Sequence, residues 1–278
     1  MDLFARCFLL VFGQLYVGGL LALSIPPFHD IERGFYKSTA AVYLGAGLLA
    51  LVGRLTLVLR PPPGATPTQP AALAELLLWG ISVVSAALYL RSLWGDHFRF
   101  RARAYVVAWM TGVAALCIGA QSFRLGPLFS VETILYPTSF LVSALLLGSV
   151  TTGMLLGHWY LIDHNLSIEP FRRLFRFFAL MLAVQAALLL ISGGLLRVGG
   201  AAASVAELTH LLQEHASLLT VRVLLCPLTA AGLAWMIWKT LQIPQTMAAT
   251  GLFYIAILSV LVGEFMGRFI LFRTSLPL

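Results

Sequence analysis

A glutamate and an arginine lie four residues apart inside the last apolar run of the chain. The run covers residues 253–272, and the two charged residues are Glu264 and Arg268. Residues at this spacing share one face of a helix, so the carboxylate and the guanidinium can pair with each other or face one ligand together. A carboxylate can accept a proton from a ligand hydroxyl, and an arginine can stabilise the oxygen that loses it. Each charge costs about 2.5–3.5 kcal/mol at the centre of a spanning helix, which indicates either a functional site or a structural ion pair.

The composition places these charges in a membrane protein. Of the 278 residues, 60% are hydrophobic and 10% are charged, whereas a soluble domain has about 25% charged residues. The formal net charge of +7 is therefore attributed to cytoplasmic loops rather than to nucleic-acid binding. The three cysteines lie in apolar runs without a CxxC spacing, which argues against a protein-bound iron–sulfur cluster or a zinc site.

Eight apolar runs, each long enough to cross a bilayer, follow one another along the chain. The sequence therefore predicts an all-α integral membrane protein with a single transmembrane domain over residues 1–278. The predicted spans lie near residues 7–25, 36–59, 72–92, 104–123, 135–162, 174–196, 216–238 and 247–271. Residues 203–214 predict a short amphipathic helix before the seventh span. The run at residues 7–25 is long for a signal peptide and no A-x-A site follows it, so we expect it to be a retained span.

The distribution of arginine and lysine predicts the orientation, because cytoplasmic loops carry an excess of these residues. Both termini are predicted on the outer, periplasmic side. Ten basic residues then lie at the inner side: Arg33, Lys37, Arg91, Arg99, Arg101, Arg103, Arg172, Arg173, Arg176 and Lys239. Five lie at the outer side: Arg6, Arg60, Arg124, Arg197 and Arg273.

The charged residues that lie within the spans all fall in the outer half of the membrane in this orientation, and two neutral polar residues share that depth. Five are charged and two are neutral: Arg54, Glu75, Arg222, Glu264, Arg268, Gln121 and Tyr136. The shared depth predicts one polar pocket near the outer face, built by several helices. The alternative is that Glu264–Arg268 and Arg54–Glu75 are structural ion pairs and that the arginines reach the membrane surface along their apolar stems.

His158 is the only histidine well inside a predicted span. A bis-histidine haem needs a second histidine at the same depth on a facing helix, and the sequence offers none within a span, although a methionine could be the second ligand. The neighbouring Trp159 and Tyr160 favour a hydrogen-bonded histidine in an aromatic belt at the membrane surface. The sequence thus disfavours a haem b and predicts no metal ligands.

Several segments resemble those of one known family. Residues 11–14 and 17–19 are similar to its first helix, residues 139–157 to its fifth, residues 217–225 to its seventh, and residues 263–268, Gly-Glu-Phe-Met-Gly-Arg, to the glutamate and glycine–arginine motif of its last helix. The family is that of the membrane anchor subunits of dimethyl sulfoxide reductase (DmsC-like), within the wider NrfD-like group of quinol-interacting anchors. In one place the chain departs from it: residues 52–55 contain Arg54 where the family has a histidine implicated in quinol binding. Glu75 corresponds to the family's acidic residue early in the third helix.

The resemblance implies a fold of two adjacent four-helix bundles in the bacterial inner membrane. It also implies an exchangeable quinone such as menaquinone, no covalently bound cofactor, and two partners. These are an iron–sulfur ferredoxin-like subunit and a molybdopterin-type catalytic subunit.

Two functional hypotheses from different classes follow. In the first, the chain is the quinol-oxidising anchor of a respiratory oxidoreductase complex. Glu264 or Glu75 then accepts a proton, while Arg54, Arg222 or Arg268 binds the quinone at the level of Gln121 and Tyr136. In the second, the chain is a non-catalytic structural or assembly subunit of a respiratory or photosynthetic complex, and the charges are ion pairs that hold helices together. A haem b carrier and a transporter are weaker alternatives. The haem is disfavoured because His158 has no second histidine, and the transporter because the polar residues lie towards one side rather than at the midplane.

Overall fold

The computed structural model describes residues 3–59, 70–163 and 166–278, and within these ranges the regular secondary structure is helical. In chain order the helices are α1 (Leu3–Ala22), α2 (Arg33–Leu59), α3 (Pro70–Ser92), α4 (Phe98–Gln121), α5 (Val131–Tyr160), α6 (Glu169–Gly199), α7 (Ala202–Glu214), α8 (Ala216–Gln242) and α9 (Thr246–Thr274). A π-helical segment, Leu224–Thr229, interrupts α8. Arg60, which was counted at the outer side, lies outside the described residues.

Eight of these helices, all except α7, are long and apolar enough to cross a membrane. The predicted all-α integral membrane fold with eight transmembrane helices is therefore confirmed. Several helices begin before the apolar runs, as α6 does at Glu169 and α4 at Phe98. The difference has a physical reason, because an apolar run marks only the hydrocarbon core and a helix can continue into the polar headgroup region. The short helix expected at residues 203–214 is present as α7.

Helix α5 lies at the centre of the molecule. The buried share of its most apolar 18-residue stretch is 78%. The same share is 56% in α1 and 44% or less in the other spans. It packs against α1, α4, α6 and α9. Large apolar side chains on the outer helices, such as Val52 on α2 and Leu190 on α6, remain exposed, as expected where a helix faces lipid.

Small residues bring α1 and α5 into backbone contact. A Cβ atom added at Gly18 would lie 1.6 Å from the carbonyl oxygen of Ala144, and one added at Gly148 would lie 2.0 Å from the carbonyl carbon of Gly18. No side chain larger than hydrogen fits at either position. Close approach through small residues is the usual basis of helix association in a bilayer, where lipid is as apolar as the helices themselves.

Helix neighbours form two closed cycles. Helices α1, α2, α3 and α4 contact one another in order, with α4 returning to α1, and α5, α6, α8 and α9 do the same. Because α1 also packs along α5, the two cycles share an extensive contact, and their division into two separate bundles stays a prediction.

Candidate functional site

Two glycines on α9 make room for α8 beside the Glu264–Arg268 pair. A Cβ at Gly263 would lie 2.5 Å from the Cβ of Cys226, and a Cβ at Gly267 would lie 2.8 Å from the Nε of Arg222. The glycines are four residues apart and therefore share a face of α9. Their missing side chains allow Arg222 on α8 to reach the carboxylate of Glu264.

The three charged side chains form one buried cluster, which we call the Arg–Glu–Arg cluster (Arg222, Glu264 and Arg268). Arg222 Nη2 donates to Glu264 Oε1 at 2.9 Å, and Arg268 Nη2 approaches Oε2 at 3.3 Å. Arg268 Nη2 also donates to Ser143 Oγ on α5 at 2.6 Å. The exposed fractions of the three side chains are 1%, 0% and 1%. The alternative in which Arg222 and Arg268 extend to the membrane surface is therefore wrong, because both are held inside by the carboxylate.

The charges within this cluster do not balance. Two guanidinium groups face one carboxylate. Three of their nitrogens, Arg222 Nε, Arg222 Nη1 and Arg268 Nε, are buried and have no acceptor among the described residues. A buried N–H group without an acceptor costs about 1–3 kcal/mol, and more when it is charged. The cluster therefore holds more N–H donors than acceptors.

The π-helical segment of α8 lies directly against this cluster. It contains Pro227, which removes one backbone N–H group from the helix. Cys226 Sγ lies 3.7 Å from Glu264 Oε1, and the hydroxyl of Ser259 on α9 donates to the carbonyl of Leu225. Single π-helical turns inside α-helices occur frequently at functional sites, because they change the direction of the side chains that follow.

The segment after α9 folds back over the same region. Ser275 adopts a left-handed conformation with φ 56°, and its carbonyl accepts a hydrogen bond of 2.6 Å from the hydroxyl of Tyr136. Ser139 Oγ donates to the carbonyl of Pro277 at 3.3 Å. The carbonyl oxygen of Leu278 lies 3.0 Å from the position that a Cβ of Gly267 would occupy. Residues 275–278 thus cover the cluster beside Gly267, and Tyr136 positions them.

Arg54 and Glu75 form a second, separate pair between α2 and α3. Arg54 Nη2 and Glu75 Oε1 are 3.0 Å apart, with exposed fractions of 26% and 11%. Trp79 Nε1 donates to the same carboxylate oxygen at 3.4 Å, and a Cβ at Gly119 on α4 would lie 2.6 Å from it. This pair is balanced in charge and partly open to the surroundings.

Helix α1 separates the two groups of charges. On one side, a Cβ at Gly13 would lie 3.0 Å from the ring of Trp79, next to Glu75. On the other side, the ring of Phe8 lies 4.9 Å from that of Phe265 in α9, next to Glu264. The structure thus brings Arg222, Glu264 and Arg268 together but places Arg54 and Glu75 elsewhere.

Gln121 belongs to a third arrangement at the end of α4. Its Nε2 donates to the carbonyl of Thr133 at 2.8 Å, and Arg124 Nη1 donates to its Oε1 at 2.9 Å. Glu132, next to Thr133, is fully buried. Of the seven residues expected in one pocket, Gln121 therefore makes its own local contacts, whereas Tyr136 reaches the region of the cluster through Ser275.

Glu132 and Ser143 make buried contacts that were not expected from the sequence. Glu132 accepts hydrogen bonds from the backbone N–H groups of Leu125, Gly126 and Ala201, at 2.8–3.1 Å, and from the hydroxyl of Ser204. It therefore ties the loop before α5 to the start of α7. An acid in the first turn of a long apolar helix is a sequence signal for this capping role. Ser143 has no such signal, because serine is common on buried faces of membrane helices.

Residues 74–273 match the family described as DMSO reductase anchor subunit (DmsC). The matched range includes Glu75 and the whole Arg–Glu–Arg cluster but not Arg54. A search of curated proteins gives no match.

Proposed function

The chain belongs to the DMSO reductase anchor subunit (DmsC) family, and on that premise we propose that it binds a quinol within the membrane and passes the electrons to an iron–sulfur partner subunit. It is a multi-pass membrane protein with eight candidate spans. The observation that carries the proposal is the charge of the Arg–Glu–Arg cluster, in which two buried arginines face one buried glutamate.

A structural ion pair would need only one of these arginines. A second buried guanidinium adds a desolvation cost of several kcal/mol. Because the carboxylate is already paired with the first arginine, its attraction to the second offsets only part of that cost. Arg54–Glu75 shows the balanced arrangement that a purely structural role requires. The Arg–Glu–Arg cluster instead keeps three N–H donors without acceptors, and a quinol oxygen is an acceptor of the kind they lack.

The chemistry follows from the balance of quinol oxidation. Two O–H bonds of the quinol break, and two protons and two electrons leave as the ring becomes a quinone. The free N–H groups of Arg222 and Arg268 hydrogen-bond the oxygen and stabilise the negative charge that develops when its proton departs. The electrons go to the iron–sulfur partner, which delivers them to a molybdopterin-type catalytic subunit.

Two carboxylates are candidates for accepting the protons. Glu264 lies inside the cluster, beside the arginine donors that lack acceptors, and has two arginine partners. Glu75 has one arginine partner and an exposed fraction of 11%, so it exchanges protons with the surroundings more readily. We assign proton acceptance at the quinol to Glu264 and keep Glu75 as the alternative base.

The protein lies in a bacterial inner membrane with both termini on the periplasmic side, and menaquinone or another exchangeable quinone is the ligand. The partner docks on the outer face, where the cluster lies in this orientation.

The test must separate loss of the site from loss of folding. Glu264→Gln alone would leave two buried arginines without a countercharge, and removal of one partner from a buried pair costs about 3–5 kcal/mol. The double variant Arg222→Gln/Glu264→Gln removes one positive and one negative charge and keeps the net charge of the cluster. We expect the purified complex with this variant to assemble but to lose quinol-dependent turnover.

The matched variant is Arg54→Gln/Glu75→Gln, which removes the balanced pair on the other side of α1 and also tests the alternative base. Quinol turnover that is lost in this variant and kept in the Arg222/Glu264 variant would assign proton acceptance to Glu75. A reduced dye that donates electrons directly to the partner subunits measures assembly independently of quinol. Quinol turnover that persists in the Arg222/Glu264 variant would falsify the assignment of the site. Loss of both quinol and dye activities in that variant, with the Arg54/Glu75 variant intact, would instead favour the structural-subunit function.

A further inference from the structure

A cavity of about 260 Å³ opens at the other end of α1 from the Arg–Glu–Arg cluster. It lies where α1 ends, α2 begins, α3 ends and α4 begins. Its apolar walls include Leu23, Pro26 and Phe28. Phe8, which packs beside the cluster, is separated from Leu23 by fifteen residues, or about 22 Å along a helix axis. This cavity is therefore distinct from the proposed quinol site.

Arg101 is the charged residue in the wall of this cavity, and its exposed fraction is 6%. Its Nη2 donates to the carbonyl of Gly95 at 3.1 Å, and its guanidinium carbon lies 5.1 Å from the ring centre of Phe28. Its Nε is buried and has no acceptor among the described residues. No ion pair joins Arg101 to a carboxylate in the described parts of the chain. A buried arginine without an anion is costly, and an anionic ligand would remove that cost.

Three tyrosines line the cavity, and their hydroxyl groups differ in their hydrogen bonds. The hydroxyl of Tyr36 donates to the carbonyl of Pro26 at 2.8 Å, and that of Tyr105 donates to the carbonyl of Leu20. The hydroxyl of Tyr89 has no hydrogen-bond partner among the described residues, and its ring lies 4.9 Å from that of Tyr105. Tyr89 and Arg101 both line the cavity, so a ligand there would lie beside a tyrosine hydroxyl and a guanidinium group.

The surroundings of the cavity are basic and aromatic. Arg99 and Arg103 are exposed on the first turns of α4, and the ring of Phe98, exposed by 67%, forms part of the cavity wall. The acids at this end are exposed as well: Asp96 pairs with Arg33 at 2.8 Å, and Asp30 and Glu32 lie before or at the start of α2. Aromatic rings and basic side chains are concentrated at the headgroup level of a bilayer.

We propose that this cavity binds an anionic phospholipid, whose phosphate is held by Arg101 and Tyr89. An arginine is suited to phosphate because its planar N–H groups match two phosphate oxygens. The apolar wall accommodates the start of an acyl chain, and the rest of the chain follows the exposed surface of α3 and α4. Basic pockets between membrane helices are known to recognise anionic headgroups.

Charge decides between this ligand and a second quinone. Arg222 and Arg268 share the carboxylate of Glu264 and lack only hydrogen-bond acceptors, which a neutral quinol supplies. Arg101 has no carboxylate partner among the described residues, so a neutral quinone would leave it without an anion, whereas a phosphate provides one. The apolar wall argues against free phosphate, which has no group to place against Leu23 and Phe28.

The first experiment measures the lipid that remains bound to the full chain after purification in a mild detergent. Mass spectrometry is expected to find phosphatidylglycerol or cardiolipin with the wild type. Loss of a hydrogen bond to a charged group corresponds to about tenfold weaker binding, so Arg101→Gln should retain about one tenth as much. Arg99→Gln, two residues away and exposed, is the matched control and should retain the wild-type amount. Equal retention by Arg101→Gln and the wild type overturns the proposal.

The second experiment does not depend on the folding of an arginine variant. Delipidated wild type and Tyr89→Phe, which loses only the hydroxyl, are titrated with phosphatidylglycerol, phosphatidylcholine or inorganic phosphate while the unfolding temperature is followed. We expect phosphatidylglycerol alone to raise the unfolding temperature of the wild type, and the midpoint to move to higher lipid concentration in Tyr89→Phe. An equal rise with inorganic phosphate would identify a free-phosphate site, and no rise or an equal rise with phosphatidylcholine would remove the site altogether. None of these outcomes affects the quinol assignment.

Discussion

Arg222 adds a second arginine to the Glu264–Arg268 pair that the sequence shows on the last helix. The pairing of Glu264 with Arg268 follows from helical spacing alone. Arg222 is 42 residues away in the chain, and its approach depends on the packing of α8 against Gly263 and Gly267. With it, the pair becomes a cluster with an excess positive charge and free donors, which favours a ligand site over a structural pair.

Ser143 is expected to position Arg268 for its ligand. Ser143→Ala removes the 2.6 Å hydrogen bond between the serine hydroxyl and Arg268 Nη2. The arginine then has more freedom, so quinol should bind more weakly. A hydrogen bond to a charged group contributes about 1.5–3 kcal/mol, so we predict that KM for quinol rises by roughly tenfold, with a smaller change in kcat. Steady-state kinetics of the purified complex measures both.

Ser149 provides the control for this prediction. It is fully buried on the same helix, but its hydroxyl donates to the carbonyl of Leu146 in its own helix. Ser149→Ala should therefore leave KM unchanged. A similar rise of KM in both variants would mean that α5 packing in general, rather than the contact with Arg268, is responsible.

Among the helix contacts, the one between α1 and α5 requires glycine at Gly18 and Gly148, because there is no room for a Cβ atom at either position. A methyl group at Gly148 would lie 2.0 Å from the backbone of Gly18, so the two helices would have to separate. Such overpacking typically costs about 1–3 kcal/mol. Gly148→Ala should therefore lower the unfolding temperature in detergent, and it should reduce the yield of monodisperse protein.

Gly193 on α6 is the matched position, since nothing lies within 4 Å of the Cβ that alanine would add there. Alanine is about 0.5–1 kcal/mol more favourable than glycine within a helix, so Gly193→Ala should keep or raise the unfolding temperature. An unchanged unfolding temperature in Gly148→Ala would contradict the close backbone contact between α1 and α5 at this position.

For the molecule as a whole, the orientation in the membrane can be tested directly. The excess of basic residues predicts that the loop before α4 is inside and the loop before α5 is outside. Phe129 is fully exposed before α5, and His97 is exposed before α4. In intact cells a membrane-impermeant thiol reagent should label Phe129→Cys but not His97→Cys. The reverse labelling pattern would place both termini in the cytoplasm and invert the proposed side of the quinol site.

The sequence alone predicted the helical membrane fold, because eight long apolar runs have few alternatives in a bilayer. It also identified the charges that are costly to bury. It could not predict that α1 separates Glu75 from Glu264, because depth in the membrane follows from chain position but lateral placement follows from helix packing. The contacts of Arg222 and Ser143 depend on lateral packing in the same way. Glu132 differs, because its place in the first turn of α5 is a sequence signal for capping. The sequence could not identify its partners, since most of them are backbone N–H groups, which every residue except proline carries.

The contact of Gly18 with Gly148 also has a consequence for biosynthesis. The first helix enters the bilayer well before the fifth has left the ribosome, and at about 5–20 residues per second the delay is on the order of ten seconds. During this time the glycine face of α1 has no partner within the nascent chain. Lipid or an insertion factor must cover that face until α5 arrives. A chain whose translation stalls in this interval would present an unpaired helix to membrane proteases, so the rate of synthesis between these two helices affects how much protein accumulates.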